Sequence, residues 1–207
     1  MASLKISGSG RRSTPSHRFH EVLMNRYLVF DTETGGLDPQ THSLLTLGFV
    51  ACEGSNVLET LEVKVRHEPY VVSAGGLKVN RINLVTHHES ALEHKAVIES
   101  VLLFCERHFG SEPITLVGHN ISFDFEFMKR FLALNGIDME SRFHHRTVDT
   151  HSIAKALREK RKLPQMRLSS DELFRHFAIH VAEDQRHTAL GDALATHTLY
   201  LKLVELI

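Results

Sequence analysis

Val29-Phe30-Asp31-Thr32-Glu33-Thr34-Gly35-Gly36-Leu37 sets two carboxylates two residues apart at the end of an apolar, β-prone run, Tyr27 to Thr32. In a strand the side chains alternate, so Asp31 and Glu33 point to the same face. Two neighbouring carboxylates on an apolar strand repel each other and resist burial, and a shared divalent cation relieves both penalties. Taken alone, the pair also fits an exposed strand end with ordinary surface acids. Thr34-Gly35-Gly36 lets the backbone turn sharply and approach a ligand closely, and Leu37 follows as an apolar residue.

Outward from this strand, Ser43 to Cys52 and Val57 to Val65 are apolar runs separated by the turn residues Glu53-Gly54-Ser55-Asn56. The second run sets Leu58, Thr60, Glu62 and Lys64 against Leu61, Val63 and Val65, the pattern of an antiparallel meander. Ala91 to Phe109 has helical spacing through Ala96, Val97, Ser100, Val101 and Phe104, and ends at Gly110. A buried strand is expected at Ile114–Val117, a helix at Phe123–Leu134 closed by Asn135-Gly136, and a short strand at Arg146–Asp149. Ser169 and Glu172 have capping-box spacing and open a helix to about Phe177; a final helix runs from about Thr188 to Leu206. Three strands followed by alternating helices and strands predict an α/β fold, a mixed sheet with helices on its faces.

Two further acidic segments follow. In His119-Asn120-Ile121-Ser122-Phe123-Asp124, a strand end leads into a helix whose first turn carries Asp124. A helix start favours a carboxylate by itself, so the segment alone also reads as a simple helix-start acid. Strand ends in open sheets are also where sites are built. Asn120 either braces this loop or touches substrate. In His187-Thr188-Ala189-Leu190-Gly191-Asp192, the imidazole falls in the loop before the last helix and Asp192 in its first turns. With 16 histidines in the chain, only spacing and company single out His187.

Phe123, Phe127 and Phe131 recur every four residues and read as a core stripe, with Phe125 off it as a weaker stacking candidate. Asp149 reads as a helix cap or a group supporting the site, close to His151. Lys155, Arg158, Lys160, Arg161, Lys162 and Arg167 form a basic stretch that fits either a phosphate track or a solvated helix end.

The 207 residues, 42% hydrophobic and 24% charged, are enough for a sizeable core and ordinary for a globular chain. Cys52 and Cys105 sit inside apolar runs and read as reduced core thiols, in keeping with a cytoplasmic setting. No apolar run is long enough to span a bilayer, so no membrane partner is expected. Residues 1–20 carry Lys5, Arg11, Arg12 and Arg18 and no acid, which leaves −5 for the rest of a chain of net charge −1. The organisation expected is therefore a disordered basic tail over residues 1–24 and a folded domain over 25–207. An acidic body is at odds with a polyanionic substrate until four of its acids are assigned to cations.

Together the three segments resemble the motifs of the DnaQ-like 3′→5′ exonucleases, in the branch whose fifth residue is histidine. The tyrosine branch would place its tyrosine four residues before the last aspartate, where this chain has Thr188. Asp38-Pro39-Gln40-Thr41 and Leu77-Lys78-Val79-Asn80-Arg81-Ile82 are similar to ribonuclease T, and the segment spacing is similar both to it and to the epsilon proofreading subunit of polymerase III. The chain departs from ribonuclease T at Leu37, where that family has an aromatic residue. The resemblance implies a ribonuclease H-like, mixed five-stranded sheet flanked by helices. It implies Asp31, Glu33, Asp124 and Asp192 as ligands of two Mg²⁺ or Mn²⁺ ions, His187 as general base, and Thr34, Gly35, Leu37 and Asn120 as substrate contacts. The implied partners are a single-stranded 3′ end of DNA or RNA and either a second copy of the chain or a polymerase. The rival reading is a non-catalytic nucleic-acid-binding or polymerase-accessory module of the same fold; such modules usually lose a carboxylate, and none is lost here.

Overall fold

The central strand β1, Arg26–Thr34, is hydrogen-bonded on both sides, and everything that positions the site is organised around it. The computed structural model describes residues 26–207, so the basic tail expected over residues 1–24 lies outside the described residues. β1 pairs antiparallel with β2, Leu44–Glu53, which pairs antiparallel with β3, Asn56–Lys64. On its other side β1 runs parallel to β4, Leu116–Gly118, and β4 parallel to β5, Val148–Asp149. The order β3-β2-β1-β4-β5 makes the expected mixed five-stranded sheet.

Seven α-helices accompany it among the described residues: α1 Ala74–Asn80, α2 Leu84–Ser90, α3 His94–Phe109, α4 Ser122–Leu134, α5 Thr150–Glu159, α6 Ser170–His176 and α7 Ala189–Val204. Helix α3 buries Val97, Ile98, Val101, Phe104 and Cys105, a stripe at three- and four-residue spacing, and stops at Gly110 with φ 57°. Helix α6 starts as its sequence predicts, with the Ser169 side chain accepting from the Glu172 N–H. Instead of reaching back to the cap, the Glu172 carboxylate pairs with Arg175.

The two faces of β1 are covered by different helices. Leu28 and Phe30 pack with α3 and α4 side chains, among them Val101, Phe104, Phe127 and Phe131, and Phe30 stacks on Phe49 of β2 at 5.4 Å. Tyr27 and Val29 instead pack with Ala193 and Tyr200 of α7. Strand alternation therefore sends Asp31 and Glu33 to the α7 face and Thr32 to the α4 face.

The sequence reading differs from the structure in a few places. Helix α3 begins at His94 rather than Ala91, and β4 lies at Leu116–Gly118 while Ile114 makes an isolated bridge to Phe143. Helices α1 and α2 were not expected. They lack a long apolar stripe, and α1 contains Gly75-Gly76, the poorest ordinary helix formers. Their caps hold them instead: Ser73 Oγ accepts from Gly76 N–H, and the Asn83 side chain from Val85 and Thr86 N–H. Among the described residues, no helix is long and apolar enough to cross a membrane.

Candidate active site

Gly48 explains how the last helix reaches the first motif. It stands opposite Asp31 in β2, and a Cβ there would collide with the backbone of Ala189 and Leu190. The bare glycine lets the N-terminus of α7 rest on the sheet beside Asp31. Thr188 caps that helix by accepting from Gly191 N–H, and Leu190 N–H donates to Glu62. Asp192, in the first turn, is thereby carried to the two strand carboxylates. Oxygens of Asp31, Glu33 and Asp192 lie within 4.8 Å of one another.

Asp124 approaches from the opposite face and is not part of that tight trio. Its Oδ1 accepts from the Thr32 backbone N–H at 2.9 Å and from the Thr32 hydroxyl at 2.6 Å, which leaves its other oxygen for a ligand. Asp31, Glu33, Asp124, Asp192 and His187 all line one cavity of about 510 Å³ at the carboxyl end of β1. His187 presents its ring from the loop before α7, with a left-handed backbone at φ 63°.

The electrostatics are those of a site short of positive charge. Burial pushes the Asp31 carboxyl well above the usual range, and the charges of Asp124, Asp192 and Glu33 push it further. Burial, then Asp192 and Asp124, raise Glu33 to about 8. Burial raises Asp124 to about 7, against the hydrogen bonds from Thr32. Asp192 is also raised by burial, with the Arg186 guanidinium opposing. Its Oδ1 is buried with no hydrogen-bond partner. An orphaned carboxylate oxygen beside two more carboxylates is a donor set that fits a hard divalent cation.

The expected substrate contacts divide. Thr34, Leu37 and Asn120 line the cavity, together with Gly36. The Gly35 backbone is used inside the protein: its N–H donates to the Ser43 carbonyl and its carbonyl accepts from Ser73 N–H and Oγ. Leu37, 84% exposed, and Val79, 59% exposed, both line the cavity. Asn120, at φ 57°, donates its backbone N–H to Asp149 Oδ1. Asp149 also caps α5 through His151 and Ser152 N–H, so it braces the Asn120 loop and is not one of the clustered carboxylates. Phe127 and Phe131 are buried, Phe123 lines the cavity, and Phe125 packs against the core.

Sequence reasoning missed Asn80 and Arg186. Asn80 is buried, and its Nδ2 donates to the Thr34 carbonyl, pinning α1 against the first motif. Gly76 of α1 sits so close to the Gly35 carbonyl that a side chain would not fit. Arg186 pairs with both Asp192 and Asp171. Its place next to His187 was the available signal. Within the basic stretch, Arg158 donates to the Met166 carbonyl and Lys162 to the chain-end carbonyls of Leu206 and Ile207, so these two serve the fold.

Known proteins resemble this chain in sequence and in fold. The family model RNase_T, described as Exonuclease, matches residues 28–200. The DNA polymerase III PolC-type of Thermotoga maritima is 27% identical over 183 residues, which are 87% of this chain and 12% of that protein. The oligoribonuclease of Nitrosomonas europaea is 28% identical over 165 residues, 75% of this chain and 86% of that protein. The chain thus spans about an eighth of the length of the PolC-type relatives it matches. In fold it is similar to E. coli Exonuclease I in complex with a dT13 oligonucleotide, with a TM-score of 0.74, 16% identity, and 86% of this chain and 40% of that chain covered.

Proposed function

This chain belongs to the exonuclease family, and we propose that it is a 3′→5′ exonuclease, dependent on two divalent ions, that hydrolyses phosphodiester bonds at the 3′ end of single-stranded DNA or RNA and releases nucleoside 5′-monophosphates. The observation that carries the reading is the convergence of Asp31, Glu33, Asp124, Asp192 and His187 on one cavity. The relatives support it from two sides, one named a polymerase and one an oligoribonuclease. The PolC-type resemblance further supports work alongside a polymerase.

When bound, Mg²⁺ or Mn²⁺ would supply the positive charge that acidifies the attacking water and stabilises the leaving 3′-oxygen. Asp31, Glu33 and Asp192 would hold these ions from one face of β1 and Asp124 from the other. His187, as neutral imidazole, takes the proton of the attacking water. Leu37 and Val79 offer apolar surface to the terminal base, and Asn120 a side-chain amide beside the strand. Thr34 keeps the first motif in its turn, its hydroxyl donating to the Gly36 carbonyl and its own carbonyl accepting from Asn80.

Digestion of matched single-stranded DNA, single-stranded RNA and duplex, each labelled at the 5′ end, tests this with and without EDTA. The expected result is a ladder of 5′-labelled fragments shortened from the 3′ end, absent in EDTA. Full activity in excess EDTA would sink the metal-dependent reading, and immediate release of the label as mononucleotide would reverse the polarity.

A further inference from the structure

Arg186 lies in the loop that presents His187, yet its side chain is held almost entirely by helix α6. Its Nε and Nη2 donate to Asp171 Oδ1 at 3.0 and 2.6 Å, and Nη2 also to Ser170 Oγ at 3.0 Å. The guanidinium carbon lies 5.3 Å from the centre of the Phe174 ring. The remaining nitrogen, Nη1, donates to Asp192 Oδ2. With three anchors on α6, the arginine is not free to follow Asp192; Asp192 is held to it. Its other oxygen, Oδ1, is buried and unpartnered, and an Asp192 carboxylate oxygen lies within 4.8 Å of oxygens of Asp31 and Glu33.

We propose that Arg186 is a positioning residue for the reaction. It fixes which oxygen of Asp192 faces the cation site, and it holds the strained loop that delivers His187. The claim rests on the exonuclease reading for its catalytic half, while its metal-binding half stands apart. Asp192 mirrors Asp124, whose Oδ1 is held by Thr32. In each case the protein engages one carboxylate oxygen and leaves the other for the ligand. The neighbouring His187 adopts φ 63°, a left-handed conformation that non-glycine residues keep only when their surroundings enforce it. The Arg186 anchor enforces it from one side. On the other, Thr188 Oγ1 donates to the Gln185 carbonyl and accepts from Gly191 N–H. Arginine suits the task because its rigid planar fork serves Asp171 and Asp192 in a fixed geometry, whereas a lysine ammonium is a compact point charge on a flexible stem.

The test compares wild type with Arg186→Met, Arg186→Lys and Asp171→Asn by Mn²⁺ titration calorimetry and by kcat and KM on a 5′-labelled oligonucleotide. Groups that orient metal ligands typically contribute about 10–100-fold to affinity or activity. Arg186→Met is expected to lose roughly that much in Mn²⁺ affinity and in kcat, with KM moved much less. Arg186→Lys, which keeps the charge and loses the fork, is expected not to restore either. Asp171 is exposed and touches Asp192 only through Arg186, so Asp171→Asn should fold normally and show a smaller loss of the same kind. It decides the matter if Arg186→Met fails to fold. Unchanged Mn²⁺ affinity and kcat in folded Arg186→Met, or in Asp171→Asn should Arg186→Met not fold, overturns the proposal. Tighter Mn²⁺ binding overturns it too, since that would make Arg186 a competitor of the cation. If wild type binds Mn²⁺ but degrades no nucleic acid, the exonuclease reading fails and the titrations still decide what Arg186 does for Asp192.

Discussion

The two faces of β1 hold their acids by different means. On the α4 face Asp124 is fixed by two hydrogen bonds from a single residue, Thr32. On the α7 face Asp31, Glu33 and Asp192 are pressed together by packing, with Gly48 admitting the helix and Arg186 as the cation paired with Asp192. The consequence is visible in Asp31, which burial and the charges of Asp124, Asp192 and Glu33 push well above the usual carboxylate range, whereas hydrogen bonds from Thr32 oppose the rise of Asp124. A carboxylate given donors tolerates burial better than one given only other carboxylates. The α7 face is therefore the side that most needs a cation, and the α4 face is organised before one arrives.

The largest effect expected is on turnover. Asp31→Ala, Glu33→Ala, Asp124→Ala and Asp192→Ala should each lower kcat by roughly 10²–10³-fold or more, the scale of losing a group that stabilises transition-state charge. The two faces should then separate in the metal titration. Loss of any of the α7-face trio should weaken Mn²⁺ binding more than loss of Asp124, which sits outside the 4.8 Å cluster. Equal losses in affinity would break the contrast, and a variant keeping more than about a tenth of the wild-type rate would remove that residue from the site.

His187→Ala comes next, with an expected loss of roughly 10²–10⁴-fold for a positioned general base. The loss should fall on kcat, because the four carboxylates are untouched. Mn²⁺ affinity should be unchanged, because no ligand role is assigned to this ring. A variant with the wild-type rate would make another group the base.

Much of this contrast was legible in the chain. The alternation through Asp31-Thr32-Glu33 placed two acids on one face, and the helix-start pattern placed Asp124 and Asp192 in first turns, because periodicity and capping are local properties. The sheet and most of its later helices followed from the same signals, whereas for Thr150–Glu159 only the cap Asp149 was suggested. The segment between β3 and α3 did not. Its helices are short, Gly75-Gly76 argues against α1, and its hold on the site is a few bonds from Ser73 and Asn80 to the Gly35 and Thr34 carbonyls, 38 and 46 residues away. Arg186 escaped for a related reason. Its partners Asp171 and Phe174 are charged and aromatic residues with no spacing relation to it, and only the folded chain brings α6 to the loop. Gly48 looked like any glycine in a strand until α7 was seen resting on it.

A third measurement reads the electrostatic contrast in the metal-free protein. Glu33 and Asp124 have folded values raised above their ordinary values of 4.5 and 3.8. The folded state then binds more protons than the unfolded one between those values and about 7 to 8, and stability falls as pH rises through that window. In EDTA, Tm should drop by at least several degrees between about pH 5 and pH 8, since each kcal/mol is worth about 2–4 °C in a chain of this size. Mg²⁺ should flatten the slope by supplying the missing charge, and Glu33→Gln should flatten it without metal. A metal-free Tm that holds steady or rises over this range would mean that the carboxylates are not under the strain described.

The smallest effect expected lies at the rim, where neither face of β1 reaches. Leu37 is 84% exposed and is not part of the core, so Leu37→Ala should leave stability within about 0.5 kcal/mol of wild type. Exposed apolar surface at the mouth of a polar cavity has a use only if something apolar covers it, and the flat face of a terminal base is the partner that the proposed substrate provides. Base contacts of this kind contribute about 1–3 kcal/mol when an aromatic side chain stacks. An aliphatic wedge should give less, so KM should rise by no more than about tenfold. The carboxylates and His187 are untouched, which leaves kcat within about twofold and makes the split between the two constants the informative readout. Leu37→Phe should lower KM instead, by giving the base a ring to stack on. If both variants match wild type in KM on a single-stranded oligonucleotide, the terminal base does not sit on Leu37 and the substrate enters the cavity from another side.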